Sequence, residues 1–441
     1  MRVTAFIRQK DASKNNIKTQ STVYFRVRDA GLDIKAASEL TINPNHWSPE
    51  RQGYKTRVAL VDEETRTNFD LQVKELTNHI SREYYKGANS DWLQKVIFAF
   101  HHPNAFKFSD GQLVNLSITT WAQKYLDVKK FDVHQAGNTK GLIRQISCFE
   151  QYQRKVKKRN GYTMNIDTMC ANDLREFQQY LADEHEIQKA HPELFSGYTR
   201  TVRPRSLNSI NSILTNLRTI CNWVRKQGAT KNDPYVGYEI PKVLYGTPFF
   251  LTIGERDQLY NLDLTDYPEL AEYRDMLCLQ SMVGCRHGDL VTFTPENIID
   301  GVLEYIPIKT MSKLPRVVRV PIIDKAAVII ARHNHGAGQP LFPCRFNFKM
   351  NEAIRKVMKM AGLNRIVTVI NPLTREEEKQ PLYDVATTHM ARRTFIGNLY
   401  KQVKDPNLVA SMSGHANGSV AFARYRTIDD DMKRELVDLI K

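Results

Sequence analysis

The chain has 441 residues, with 63 Lys and Arg against 48 Asp and Glu, a formal charge of +15 and 41% hydrophobic residues. At about 100–200 residues per domain this length predicts more than one domain, and the ordinary apolar share excludes wholesale disorder. No apolar run approaches the roughly 18–20 residues of a membrane span, and the opening Met1-Arg2-Val3-Thr4-Ala5-Phe6-Ile7-Arg8 meets charge too soon for a secretory h-region. Cys148, Cys170, Cys221, Cys278, Cys285 and Cys344 are scattered without a CxxC pair, which predicts reduced thiols in a cytoplasm and no zinc site. A pI near 9.4 favours a polyanionic partner, most often nucleic acid.

The first 60 residues read as strands. In Thr22-Val23-Tyr24-Phe25-Arg26-Val27-Arg28 one face carries Val23, Phe25 and Val27, and the other Tyr24, Arg26 and Arg28. A core face thus backs a basic face with an aromatic, and Arg26 and Arg28 are candidate DNA contacts. Asp29-Ala30-Gly31 supplies a turn, and Leu40-Thr41-Ile42 predicts a third strand before Pro44. From about Glu63 the pattern turns helical through Leu71, Val73, Leu76 and Ile80.

Residues 113–232 read as a helical domain. Its stretch 111–240 has 19 basic and 12 acidic side chains, the densest excess in the chain. Leu207, Ile210, Leu214, Leu217, Cys221 and Val224 fall at spacings of three and four, and Gly228 follows as a helix stop. Upstream, the run Arg154, Lys155, Lys157, Lys158 and Arg159 is a candidate contact to a phosphate backbone. A linker around Asn232-Asp233-Pro234 and Pro241 to Pro248 precedes a capping box, Thr252 with Glu255, that opens the last domain.

Four pieces of that last domain carry chemistry. In Gly284-Cys285-Arg286-His287-Gly288-Asp289, the acid three residues on can hold the guanidinium if the segment is helical. A hairpin over Tyr305–Lys313 and Val317–Ile322 would put Lys309 at the edge of its tip, with Lys313 as competitor. In Thr387-Thr388-His389-Met390-Ala391-Arg392 the threonines suit a helix cap, so His389 and Arg392 share the first turn, where an anion is favoured. Ser413-Gly414-His415 is a helix stop with a histidine beyond it, followed by Ala423-Arg424-Tyr425-Arg426. His333-Asn334-His335 lacks the flanking residues of a nuclease metal site, and His101-His102 reads as a surface pair.

The ordered set Arg, Lys, His-x-x-Arg, Gly-His and Tyr resembles the tyrosine recombinase (phage integrase) family, from roughly Thr252 to the C-terminus. The resemblance implies an α+β, mostly α fold. It has a small N-terminal sheet domain binding arm-type DNA (1–105), a helical core-site-binding domain (113–232) and a mixed α/β catalytic domain (248–441). The N-terminal part is similar to integrases of phages and conjugative transposons. The family's roles carry over onto Tyr425 as nucleophile, Arg286 and Arg392 as phosphate clamps, and Lys309 as general acid. His389 would assist the proton and the phosphate, His415 would donate to the phosphate, and Asp289 would support Arg286. The family implies double-stranded DNA and a homotetramer as partners, with host DNA-bending or excision factors, and neither metal nor other cofactor. A type IB topoisomerase or a catalytically silent, integrase-derived DNA-binding protein are the alternatives. Cys285 stands where leucine is more usual in the family, and Tyr425 lies ten positions after His415.

Overall fold

A computed structural model describes residues 1–8, 20–58, 61–103, 105–109, 112–244, 246, 249–311, 315–342, 347–403, 405–415 and 437–438. About half of the chain is helical, with small antiparallel sheets, and it forms two compact units, Met1–Val243 and Leu244–Lys441. No described helix is long and apolar enough to cross a membrane.

The first unit opens on a three-stranded antiparallel sheet in the order β1 (Arg2–Ile7), β2 (Ser21–Asp29), β3 (Leu32–Ile42). Its register places Ala5 opposite Phe25, and Val27 opposite Ile34. Val23, Phe25, Val27, Ile34, Leu40 and Ile42 are buried, as the period-two pattern requires. The two-residue strands β4 (Trp47–Ser48) and β5 (Gly53–Tyr54) follow. Helix α1 (Glu63–Glu83) contributes Val73, Leu76 and Ile80 to the same core, and α2 (Ser90–His101) contributes Trp92, Leu93, Val96 and Ile97.

A hairpin, β6 (Phe106–Ser109) with β7 (Gln112–Asn115), leads into a second core formed by α3 (Ile118–Val128), α4 (Val133–Lys155), α5 (Ala171–Ala190) and α6 (Leu207–Lys226). Lys107 of the hairpin donates to Asp167 at 2.6 Å and to the Ala229 carbonyl at 2.7 Å, while Phe106 packs on Phe98 with ring centroids 5.1 Å apart. On α6 the stripe Ile210, Leu214, Leu217, Cys221 and Val224 is buried, and Gly228 follows with φ +74°.

In the second unit the capping box holds: Thr252 accepts the Glu255 amide and Glu255 accepts the Thr252 amide, starting α7 (Ile253–Tyr260). Helix α8 (Pro268–Val283) is buried continuously from Asp275 to its end, so it is the central rod of the domain. Around it lie α9 (His287–Leu290), β8 (Ile298–Ile299), β9 (Val302–Tyr305), α10 (Ile308–Met311), β10 (Val318–Pro321), α11 (Asp324–Arg332) and α12 (Asn347–Met360). They are followed by β11 (Ile366–Ile370), β12 (Glu377–Pro381), α13 (Thr388–Val403) and α14 (Pro406–Ser413).

The anticipated hairpin exists as β9 with β10, with Tyr305 opposite Val318. Its tip differs from the expected strand: Ile308–Met311 is a helical turn, because the Pro307 carbonyl accepts the amides of Thr310 and Met311. Proline has no N–H for a strand ladder, and it sits well just before a helical turn.

Candidate active site

The site is built where the end of α8 meets the start of α13. Gly284 terminates α8 in the left-handed region with φ +70°, and a Cβ there would lie 2.2 Å from Phe395 Cδ1 on α13. Only glycine allows both the backbone angle and the approach. The approach lets the Gly284 carbonyl accept from Arg392 Nη1 at 2.8 Å. Arg392 is 1% exposed, so a permanent positive charge is fixed inside the domain.

Two residues on, Arg286 starts the short α9, its side chain 26% exposed, with Nη1 4.0 Å from Asp289 Oδ2. The pair stands three residues apart at the head of α9, but Arg286 is its extended N-cap and not a helical residue, and the contact is long. Both atoms are buried and make no hydrogen bond among the described residues. The other oxygen, Asp289 Oδ1, accepts the Ile308 amide at 2.9 Å. Asp289 therefore ties the Arg286 turn to the turn that carries Lys309, which is exposed.

His389 lies in the first turn of α13. Asn351 rather than a threonine satisfies the amide there, accepting from Thr388 N at 2.9 Å. Burial pushes His389 down to about 4, aided by Arg393, Arg392, Arg286 and Lys309. His415 follows Gly414, which caps α14 with φ +65° and whose added Cβ would lie 3.0 Å from Val318 Cγ2 on β10. Burial pushes His415 down to about 3, with Arg392, Arg286 and His389 adding to the effect. Arg392 Nη2 is 3.1 Å from each ring nitrogen of His415, and Ser413 Oγ is 2.9 Å from Nδ1.

At neutral pH both imidazoles are therefore uncharged, and the positive charge comes from guanidinium and ammonium groups. Such an arrangement suits a group that gains negative charge in reaction, since fixed cations in a water-poor place stabilise it without reorganising. The guanidinium fork also matches phosphate oxygens. Among the described residues no group of three or more His, Cys, Asp or Glu is arranged to hold a metal ion.

The structure thus brings Arg286, His389, Arg392 and His415 together, with Lys309 close enough to act on His389 and Asp289 beneath. Tyr425 lies outside the described residues, as do Lys313, Cys344 and the segment with Asp429, Asp430, Asp431, Met432, Leu436, Leu439 and Ile440. Cys285 is fully buried, and burial raises its thiol, so it packs as a small apolar residue. Two nearby residues went unassigned from sequence. Arg393 is the strongest of the cations acting on His389, and only its adjacency to Arg392 hinted at it. Ser413 was legible as part of a helix end, and not as a partner of His415.

The candidate DNA contacts all belong to the first unit. Arg26 donates from Nε to Asp33 Oδ1 at 2.6 Å and also bonds its other oxygen, while Arg28 Nε is 3.5 Å from Asp33. Beside them Tyr24 packs on Phe6, with ring centroids 5.7 Å apart, and lies under Arg8. In the basic run, Arg154 donates to the Tyr162 carbonyl and Arg159 is forked onto Glu176. Lys155, Lys157 and Lys158 are exposed. His333 bonds Asp275 at 3.0 Å and is a structural residue, and His102 pairs with Glu39 at 2.6 Å.

Residues 250–432 match the model of the phage integrase family. The chain is 21% identical over 266 residues to the tyrosine recombinase XerD of Listeria monocytogenes, covering 58% of this chain and 86% of that protein. It is also 21% identical over 298 residues to XerD of Staphylococcus aureus strain Mu50, covering 62% of this chain and 90% of that one. In fold it is similar to the Tn1549 transposon integrase solved with a circular intermediate DNA, with a TM-score of 0.50 and 13% identity over 74% of this chain and 99% of that one. The ordered residues, their gathering at the junction of α8 and α13, and the family match identify residues 250–432 as a phage integrase family domain, similar to that of tyrosine-type site-specific recombinases.

Proposed function

We propose that the chain cuts and reseals double-stranded DNA at specific sites through a 3′-phosphotyrosine intermediate, integrating or excising a mobile element. The cluster of Arg286, His389, Arg392 and His415, with Lys309 on the adjoining turn, carries this reading.

In this mechanism Tyr425 Oη attacks the scissile phosphorus, the bond to the 5′ oxygen breaks, and a phosphotyrosine and a free 5′-hydroxyl result. Tyrosine has a pKa of about 10, so its proton must be taken as it attacks. His389, uncharged at neutral pH, has a lone pair for that proton. Arg286 and Arg392 hold the non-bridging oxygens as charge builds; losing one such donor typically raises a barrier by ~2.7–4 kcal/mol. His415 donates to the same phosphate, and Lys309 Nζ protonates the departing 5′ oxygen. The covalent link conserves the energy of the broken bond, so rejoining needs neither ATP nor a metal.

The three-part organisation belongs to the same reading: residues 1–105 on arm-type DNA, 113–232 on the core site and 248–441 for catalysis, acting in the cytoplasm as a tetramer on two duplexes. Arg26 and Arg28 would serve the arm site, and Arg154, Lys155, Lys157, Lys158 and Arg159 the core site. The Tn1549 integrase, a transposon protein solved on DNA, supports a mobile element as the substrate.

The test is a trapping assay with a nicked duplex carrying the element's attachment site, without metal or ATP. Wild type should give a covalent protein–DNA band that Tyr425→Phe does not. Tight binding with no adduct in either protein would make the chain a DNA-binding protein without cleavage.

A further inference from the structure

We propose that Tyr305 is a positioning residue for the phosphate clamp, its buried hydroxyl donating to Asp289 Oδ2 once Arg286 has turned its guanidinium onto a phosphate. The inference rests on the reading of Arg286 as a clamp.

Arg286 Nη1, Asp289 Oδ2 and Tyr305 Oη are each buried and make no hydrogen bond among the described residues. Most buried polar groups in folded proteins are bonded, so three unpaired atoms around one arginine mark a place whose bonding changes. Tyr305 ends β9 and is 7% exposed, and its ring packs on Phe293 with centroids 5.0 Å apart. Burial pushes its phenol up, with Cys285 and Asp289 adding to the effect and Arg392 and Arg286 opposing it. The hydroxyl is therefore a neutral donor, and it stands among the charges of the site.

The chemistry of the three atoms limits how they can pair. A guanidinium only donates, a carboxylate only accepts, and a phenol hydroxyl does both. Asp289 Oδ2 is thus the acceptor open to the other two. Arg286 Nη1 stands 4.0 Å from it, too far for a hydrogen bond. A phosphate that takes the guanidinium fork draws this cation away, and a buried carboxylate oxygen left without a donor is costly. Tyr305 Oη is the donor that remains.

The exchange needs little movement of the backbone. Asp289 Oδ1 already accepts the Ile308 amide, three residues after Tyr305, at 2.9 Å. With the second bond, the corner from Tyr305 to Ile308 grips both oxygens of the carboxylate. The same corner is braced against the residue before His415, since a Cβ added to Gly414 would lie 3.2 Å from Pro307 Cγ. The hydroxyl thus does nothing for the free chain and makes one charge-assisted bond in the reacting complex, which holds the Lys309 turn to the Arg286 turn while the clamp is closed.

The experiment compares the full-length wild type with Tyr305→Phe, Asp289→Ala, the double variant and Arg286→Ala on the nicked attachment-site duplex. Tyr305→Phe keeps the ring on Phe293 and removes only the hydroxyl. It should melt no lower than wild type and bind DNA equally, yet cleave about tenfold more slowly in a single turnover. In the Asp289→Ala background the same change should cost nothing further. Asp289→Asn, whose amide nitrogen cannot accept, serves in the cycle if Asp289→Ala melts early. A purely structural tyrosine would instead lower the melting temperature and add its loss to that of Asp289→Ala. Either of those results, or wild-type cleavage by Tyr305→Phe while Arg286→Ala is impaired, overturns the role of Tyr305. If Arg286→Ala itself cleaves at the wild-type rate, the clamp reading fails instead.

Discussion

The Asp289 carboxylate accepts the Ile308 amide at 2.9 Å, one residue before Lys309. Through it the turn bearing Lys309 is fastened to the turn bearing Arg286. A buried acceptor lost from such a bond costs about 1–3 kcal/mol. Asp289→Ala should therefore slow single-turnover cleavage by about ten- to a hundredfold, with DNA affinity little changed. Asp289→Asn keeps an oxygen for the Ile308 amide and should lose less. Equal losses in the two variants would mean that the charge, and not the tether, is what matters.

Lys309 is exposed on its turn, and in the proposed mechanism it protonates the leaving group. Lys309→Ala should be slow on an ordinary phosphodiester and close to wild type on a substrate whose 5′ bridging atom is sulfur, because a thiolate departs without a proton. A rate gained equally by both proteins on the sulfur substrate would assign the proton to another group.

Gly284→Ala would place a methyl 2.2 Å from the Phe395 ring at a φ of +70°. Strain of the backbone and overpacking each cost about 1–3 kcal/mol. The variant should melt several degrees below wild type, and it should lose cleavage because the Arg392 bond to the Gly284 carbonyl shifts. An unchanged melting temperature would show that α8 and α13 can separate freely.

His389 and His415 titrate near 4 and 3 in the folded chain, against an ordinary value of about 6.5. The unfolded chain takes up protons first as pH falls, so folding loses free energy from about pH 6.5 down to those values and keeps it above. The two rings together should account for a few kcal/mol across that window. Melting of the full chain between pH 7.5 and 5 should fall steeply in wild type and less so in His389→Asn or His415→Asn. A variant slope as steep as wild type would place the titration elsewhere.

Local rules read much of this chain well. The β2 alternation, the α6 stripe with Gly228 and the Thr252–Glu255 box each depend on neighbours in sequence, and each is present. Strand β3 was legible only at its end, because Ala36 and Ser38 occupy core positions where larger apolar residues would have shown the period. Ser38 holds its place by donating to the Val23 carbonyl at 2.8 Å, a partner 15 residues away. The hairpin of β11 and β12 is not legible in sequence, since Glu377-Glu378-Lys379-Gln380-Pro381 has no strand-like pattern of its own and pairs with Ile366–Ile370. At the site, residue types and order carried the chemistry. The contacts of Asp289 with Ile308 and of Ser413 with His415 depend on how elements meet, which spacing alone does not encode.

Lys107 donates to Asp167 and to the Ala229 carbonyl, while its hairpin neighbours Phe106 and Phe108 pack toward the sheet and α2. The hairpin is a wall shared by two rooms. A fragment starting at residue 113 would strip Asp167 of its ammonium partner and cut strand β7 from β6, and one ending at residue 105 would take the Phe106 ring from Phe98. Dissection of this protein into independently folding pieces should leave residues 106–115 whole, and the piece without them should be the one that aggregates.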